Sequence, residues 1–283
     1  MSPPTSPRWL SCGPRRDAWS AGSESSGPAS QACAAVGAGV SVELIAVLGL
    51  PEIGAGDDLG GLIAQRAAPL RSGDVVVVAQ KVVSKAEGRL RRLAAVTVTP
   101  RARDLAGRLK ADPRMVQVIL DESLRVVRDD RVLIVETHHG YICANAGVDR
   151  SNVPGAETVC LLPLDCDRSA ALLRGRIAEV SGVEVGLIVS DTFGRPWRMG
   201  LCNVALGVAG MPATVDYRGQ ADDFGIPLHA TVVAVADEIA AASGLVMGKT
   251  SRIPAVLVRG LTLGGGEGGG QELVRPSPLD LFR

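Results

Sequence analysis

Apolar residues along the chain fall into short runs divided by polar punctuation, and the elements follow from that pattern. Val42-Glu-Leu-Ile-Ala-Val-Leu48 reads as a strand ended by Pro51, and Asp57 or Asp58 caps a helix through Leu70. Asp74-Val-Val-Val-Val-Ala79 is an unbroken apolar run between a Ser-Gly turn and a charged segment, the pattern of a buried strand. Pro100 opens a helix through Leu109 and Pro113 another through Leu120, because proline at the first helical position sacrifices no needed N–H. Strands are expected over Arg131 to Glu136 and Tyr141 to Ala144, around a His138-His139-Gly140 turn. Asp165 or Asp167 caps a helix to about Val180, and Val185-Gly-Leu-Ile-Val189 is a strand that delivers Asp191 at its end. Residues 200 to 218 alternate small apolar residues with glycine, as close-packed strands do. Leu228 to Met247 reads as one long helix and Ala255 to Val258 as the last strand.

Helices and strands mix without a regular βαβ rhythm. The expected class is α+β, with mixed sheets and flanking helices. Residues 1–41, rich in Ser, Pro, Gly and Ala without hydrophobic period, are expected to be a disordered extension. The ordered domain is expected over 42–263, and 264–283 as a Gly-rich linker and flexible tail.

Composition narrows the function. Aromatics are only 3% of the 283 residues, so Val, Leu, Ile and Ala must fill the core. A formal net charge of zero argues against bulk nucleic-acid binding and means that any anionic ligand is held by local charge. Six cysteines stand without Cys-x-x-Cys or zinc-ligand spacing, which reads as scattered reduced thiols in a cytoplasmic protein. No apolar run approaches the ~20 residues of a membrane span, and no apolar stretch follows the N-terminal arginines as in a secretory signal.

Two polar stretches carry candidate chemistry. Asn145-Ala-Gly-Val-Asp-Arg-Ser-Asn152 and Ser190-Asp-Thr-Phe-Gly-Arg-Pro-Trp-Arg198 each place a carboxylate beside further oxygen donors, Asp149 with Asn152 and Asp191 with Thr192. Hard divalent cations take such ligands, usually one or two carboxylates plus substrate phosphates. The competing reading is that both acids shape turns or cap helices. A basic cluster, Lys81, Lys85, Arg89, Arg91 and Arg92, follows the buried strand and suits phosphate or a solvated face. Arg195 and Arg198 stand near Asp191 and suit a metal–phosphate site or internal ion pairs. Gly244-Leu-Val-Met-Gly-Lys-Thr250 is not a P-loop: Ser243 stands where the first glycine belongs, and the segment leaves a helix to enter a strand.

The ordered chain, about Val42 to Leu261, resembles the coenzyme F420-0:γ-glutamyl ligase family. The resemblance rests on Gly49-Leu-Pro-Glu-Ile53 with Gly56-Asp-Asp-Leu59, on Asp74 to Ala79 running into Val83-Ser-Lys-Ala-Glu-Gly-Arg89, and on Asn145 to Pro154. It continues in Ser190-Asp-Thr-Phe-Gly-Arg195, Ala236-Asp-Glu-Ile-Ala240 and Ile253-Pro-Ala-Val-Leu-Val-Arg-Gly260. It implies a dimeric ligase that uses GTP to join L-glutamate to the carboxylate of coenzyme F420-0 and can add further γ-linked glutamates. It further implies Mg²⁺ or Mn²⁺, with K⁺ as a possible extra cation. Carried over by motif, Asp149, Asp191 and Thr192 look like metal ligands, with the two acids essential to catalysis. Gly49, Leu50, Pro51, Glu52, Gln80, Lys85 and Asn152 look like the GTP site. Gln80 departs from the small hydroxyl residue common in relatives, and Met247 to Arg252 lacks the glutamine that some relatives offer to metal. The tail is similar to the linker that leads into a flavin-binding domain in actinobacterial members, and without that domain FMN binding by that route is not expected. The competing classes are a non-catalytic nucleotide- and metal-binding regulator and the same ligase chemistry on another acid.

Overall fold

The computed structural model describes residues 41–280 apart from positions 68 and 265. The expected N-terminal extension therefore falls outside the described residues except for position 41, and so do Leu281 and Phe282. Elements run β1 (Glu43–Ala46), α1 (Leu59–Arg66), β2 (Val75–Ala79), α2 (Gln80–Ala86), β3 (Leu90–Arg92), α3 (Pro100–Leu109), α4 (Pro113–Asp121), β4 (Ser123–Asp129) and β5 (Leu133–Thr137). They continue β6 (Ile142–Ala144), β7 (Thr158–Cys160), α5 (Cys166–Ser181), β8 (Gly186–Arg195), β9 (Arg198–Ala209), β10 (Val215–Asp216), β11 (Val232–Val233), α6 (Val235–Met247) and β12 (Ala255–Arg259).

A five-stranded sheet, β1-β12-β2-β8-β9, forms the centre. Only β2 and β8 run parallel; their neighbours are antiparallel, so the class is α+β as the irregular rhythm indicates. The valine run of β2 is explained by burial on both faces. Val76 and Val78 join Leu187, Val189 and Leu257 in one core, with Ile63 of α1 and Ile177 of α5. Val75 and Val77 join Ile188, Val256 and Val258 in the opposite core, under Ile239 of α6. A third core packs α3 and α4 against β5 through Leu105, Val116, Val118 and Val135.

Several boundaries differ from the sequence expectation. Helix α1 stops at Arg66 rather than Leu70: Ala67 is already extended, and Pro69 cannot continue a helix. The helix expected from Leu228 begins at Val235; the β-branched Thr231-Val232-Val233 run is extended instead, and β11 pairs with β10. Strand β4, not expected, pairs with β5; its bulges break the alternation that would have marked it. The charged segment after β2 is helix α2, with Gln80, Val83, Ser84 and Lys85 buried. Strand β8 runs on past Val189 to Arg195 and, with β9, makes a long hairpin turning at Pro196 and Trp197.

The segment beyond Leu263, expected to be a loose linker and tail, lies against the domain. Asp167, near the start of α5, accepts from the Gly270 N–H at 2.6 Å and the Val208 N–H at 2.8 Å, bridging tail and sheet. Gly268 N–H donates to the Met211 carbonyl at 2.9 Å. A Cβ on Gly270 would stand 2.0 Å from the Leu206 carbonyl oxygen, so only glycine fits that approach. Val274 packs on Tyr141, Leu162, Cys166 and Leu206. Spaced glycines lack a hydrophobic period, and that hid this docking.

Candidate functional site

Parallel strands end together, and the loops at their carboxyl ends leave a crevice. Here Ala79 pairs with Ser190 at the end of the β2–β8 ladder, so Gln80 and Asp191 emerge side by side. A cleft of about 1200 Å³ opens there, bounded by 50–53, the start of α2, 144–154, the β8–β9 hairpin and 247–254. Among the described residues, no group of three or more His, Cys, Asp and Glu side chains is poised to hold a metal ion.

The sequence-predicted residues converge on this cleft. Leu50, Pro51, Glu52, Gln80, Lys85, Asp149, Asn152, Asp191 and Thr192 line it. Gly49 does not; at φ +73° it makes the turn that presents Leu50 to Glu52. Asp191 and Thr192 sit inside β8 rather than in a loop, because the hairpin continues past the sheet. Asp149 is held by a two-way backbone bridge to Cys160, at 3.1 and 2.8 Å. Asn152 is left-handed at φ +54°, a conformation asparagine tolerates.

Charges in the cleft are paired in a definite pattern. Lys81 Nζ stands 2.5 Å from Asp149 Oδ2 and donates to the Ser151 carbonyl and hydroxyl oxygens at 2.9 and 2.7 Å. Burial pushes the Asp149 carboxyl up, but hydrogen bonds from Lys81 and Ser151 outweigh it and hold the group below its ordinary value. Asp191 shows the reverse balance. Burial pushes it up to about 6, against a Thr192 backbone N–H and the more distant charges of Lys81 and Lys249. Lys85, only 4% exposed, pairs with Glu52. Lys249 donates to Thr192 Oγ1, which in turn donates to Asn203 Oδ1 at 2.7 Å. The Ser190 hydroxyl is buried beside Asp191 without a hydrogen-bond partner.

Two carboxylates, a hydroxyl and an amide line this one cleft and are hard oxygen donors. They fit a cation of the Mg²⁺ or Mn²⁺ type that completes its shell with phosphate oxygens and water. The buried Ser190 hydroxyl left without a partner beside Asp191 is the observation that favours a further ligand there.

Other sequence candidates lie elsewhere. Arg89 pairs with Glu122 and Arg91 with Asp121, so these arginines are structural and not part of a phosphate cluster. Arg195 donates to the Met199 carbonyl at the hairpin tip, away from the cleft lining. His138 and His139 bind backbone carbonyls of Asp121 and Pro163 as turn residues do. Sequence reasoning offered Lys81 for phosphate or a solvated face, not as the partner of Asp149, and gave no role to Ser151 or Asn203. Lys81 was findable, lying four residues before Lys85 on one helix face. Asn203 enters only through the hairpin register that pairs it with Thr192.

Comparison with known proteins gives a coherent result. The family model described as F420-0:Gamma-glutamyl ligase matches residues 48–260. The chain is similar to the coenzyme F420:L-glutamate ligase of Methanothermobacter thermautotrophicus, at 44% identity over 253 residues, covering 86% of this chain and 100% of the relative. It is similar to that of Halobacterium salinarum at 47% identity over 245 residues, covering 84% and 94%. Similarity to that of Methanocaldococcus jannaschii is 41% over 228 residues, covering 80% and 90%.

Proposed function

The chain belongs to the F420-0:γ-glutamyl ligase family, and from that premise we propose that it joins L-glutamate to the carboxylate of coenzyme F420-0 with GTP as the energy source. The observation that carries this reading is convergence: segments scattered from residue 50 to residue 254 supply three acids, three lysines and several amide and hydroxyl groups to one cleft. Its volume exceeds the usual range of about 300–1,000 Å³ for small-molecule sites and suits two substrates held together.

The chemistry explains the residues. A carboxylate is a poor acyl donor. Attack of its oxygen on the γ-phosphorus of GTP breaks the bond to the β-phosphate oxygen, releasing GDP and leaving an acyl phosphate. The neutral amine of glutamate then attacks the carbonyl carbon, phosphate departs, and the amine proton is lost to give the amide. Every reactant is anionic, so positive charge and positioning dominate the barrier. Lys85 supplies a buried ammonium to the nucleotide, with Glu52 orienting it in the free protein. Gln80, Asn152 and Leu50 to Glu52 shape the nucleotide pocket. Asp149, Asp191 and Thr192 would hold a Mg²⁺ or Mn²⁺ ion, which when bound screens phosphate charge. Tyr217, Phe224 and Ile226 in the 216–231 loop and Trp197, Met199 and Leu201 on the hairpin expose apolar surface that a homodimer would cover.

The test is coupling. The purified protein with GTP and Mn²⁺ should release GDP only when coenzyme F420-0 and glutamate are both supplied. GDP release that ignores both points to a hydrolase; nucleotide binding without release under any acceptor points to a regulator.

A further inference from the structure

If Asp149 ligates a divalent cation, as proposed, its present partners say what must leave when the cation arrives. Oδ1 accepts from the Ser151 N–H at 2.8 Å, and Oδ2 accepts from the Ser151 hydroxyl at 2.6 Å and from Lys81 at 2.5 Å. Lys81 donates to Asp149 and Ser151, and its side chain is 19% exposed. It is the positive charge bonded to Asp149 in the cleft that Asp191 also lines. An ammonium and a dication within bonding distance of one carboxylate oxygen repel strongly in a partly buried site.

We propose that Lys81 is an exchange cation. It holds Asp149 and the 149–152 loop in place while the cleft lacks a divalent ion. It yields Asp149 when that ion binds, and it then takes a phosphate oxygen of the nucleotide. This rests on the metal role proposed for Asp149. Geometry supports the second half. Lys81 lies one helical turn before Lys85, both line the cleft, and its flexible four-carbon stem carries a point charge that phosphate accepts without fixed geometry. Lys249 against Thr192 repeats the arrangement at another oxygen of the same set.

The experiment measures Mn²⁺ binding to the nucleotide-free protein by electron paramagnetic resonance of the free ion. Affinity for a non-hydrolysable GTP analogue at saturating Mn²⁺ is measured by calorimetry. Lys81→Met should bind Mn²⁺ about tenfold more tightly than the natural protein, because the competitor is gone, and the analogue about tenfold more weakly. Lys81→Arg, which keeps the charge, should leave Mn²⁺ affinity within about threefold. Opposite signs in one variant are not what misfolding produces; if Lys81→Met does not fold, Lys81→Gln carries the same comparison. Unchanged or weaker Mn²⁺ binding in Lys81→Met, with binding abolished in Asp149→Asn, makes Lys81 a structural tether and overturns the inference alone. Mn²⁺ binding unaffected by Asp149→Asn overturns the metal role and this inference together.

Discussion

Arg259, the last residue of β12, forks onto Asp74, the residue before β2, with Nε 2.9 Å from Oδ1 and Nη2 2.7 Å from Oδ2. The pair locks two neighbouring strands of the central sheet at the end away from the cleft. Asp74 is 2% exposed and also accepts from the Arg71 N–H at 2.7 Å. Burial pushes its carboxyl up, but the hydrogen bonds from Arg259 and Arg71 outweigh that and hold it below the ordinary range.

A carboxyl whose value is lowered by folding stabilises the fold above its unfolded value, about 3.9, and that contribution is lost as pH falls through the folded value. Asp74→Asn should therefore cost about 3 kcal/mol at neutral pH, as for one partner removed from a buried pair. The gap from the natural protein should shrink below about pH 4. Urea midpoints at neutral and acidic pH measure it. A gap that stays constant across that range would show that the ion pair contributes through shape alone.

Lys85 is buried and pairs with Glu52 across the cleft. Lys85→Ala should weaken GTP binding roughly ten- to hundred-fold, the worth of a charge-assisted contact. Glu52→Gln keeps the size of the partner and should change affinity less. Calorimetry with the nucleotide decides, and unchanged affinity in Lys85→Ala would assign this lysine to structure.

Asp191→Asn and Asp149→Asn should each lower amide formation by on the order of 100-fold or more, with little change in melting temperature for Asp191→Asn. Asp149→Asn also loosens the Lys81 contact and should melt somewhat earlier. Near-full activity of both variants across a Mn²⁺ titration would remove the acids from the mechanism.

The docked C-terminal segment gives a stability prediction. Gly270→Ala drives a methyl into the Leu206 carbonyl and should cost about 1–3 kcal/mol. Ending the chain at Leu263 removes the Asp167 contacts and the Val274 packing and should lower the melting temperature further. A melting temperature unchanged by either alteration would restore the reading of this segment as a dispensable tail.

What was legible in the sequence was local. Pro100 and Pro113 opened helices α3 and α4 where proline belongs, and Asp165 capped α5. The valine run of β2 announced burial on both faces. Elements decided by distant partners were not legible. Ser190 to Arg195 is polar and reads as a loop, yet it extends β8 because β9 pairs with it. The order of motifs picked out residues that the fold brings to one cleft. It could not show that Lys81 occupies Asp149 across 68 positions, which only the meeting of α2 with the 149–152 loop creates.

The central claim is amide formation at this cleft. The direct measurement is the mass of the deazaflavin product after incubation of the protein with GTP, Mn²⁺, L-glutamate and coenzyme F420-0. The account predicts a product heavier by one glutamate residue or a small number of them, formed with matching release of GDP and absent with Asp191→Asn. An acceptor of unchanged mass, under conditions where the protein is folded and binds GTP, would contradict it.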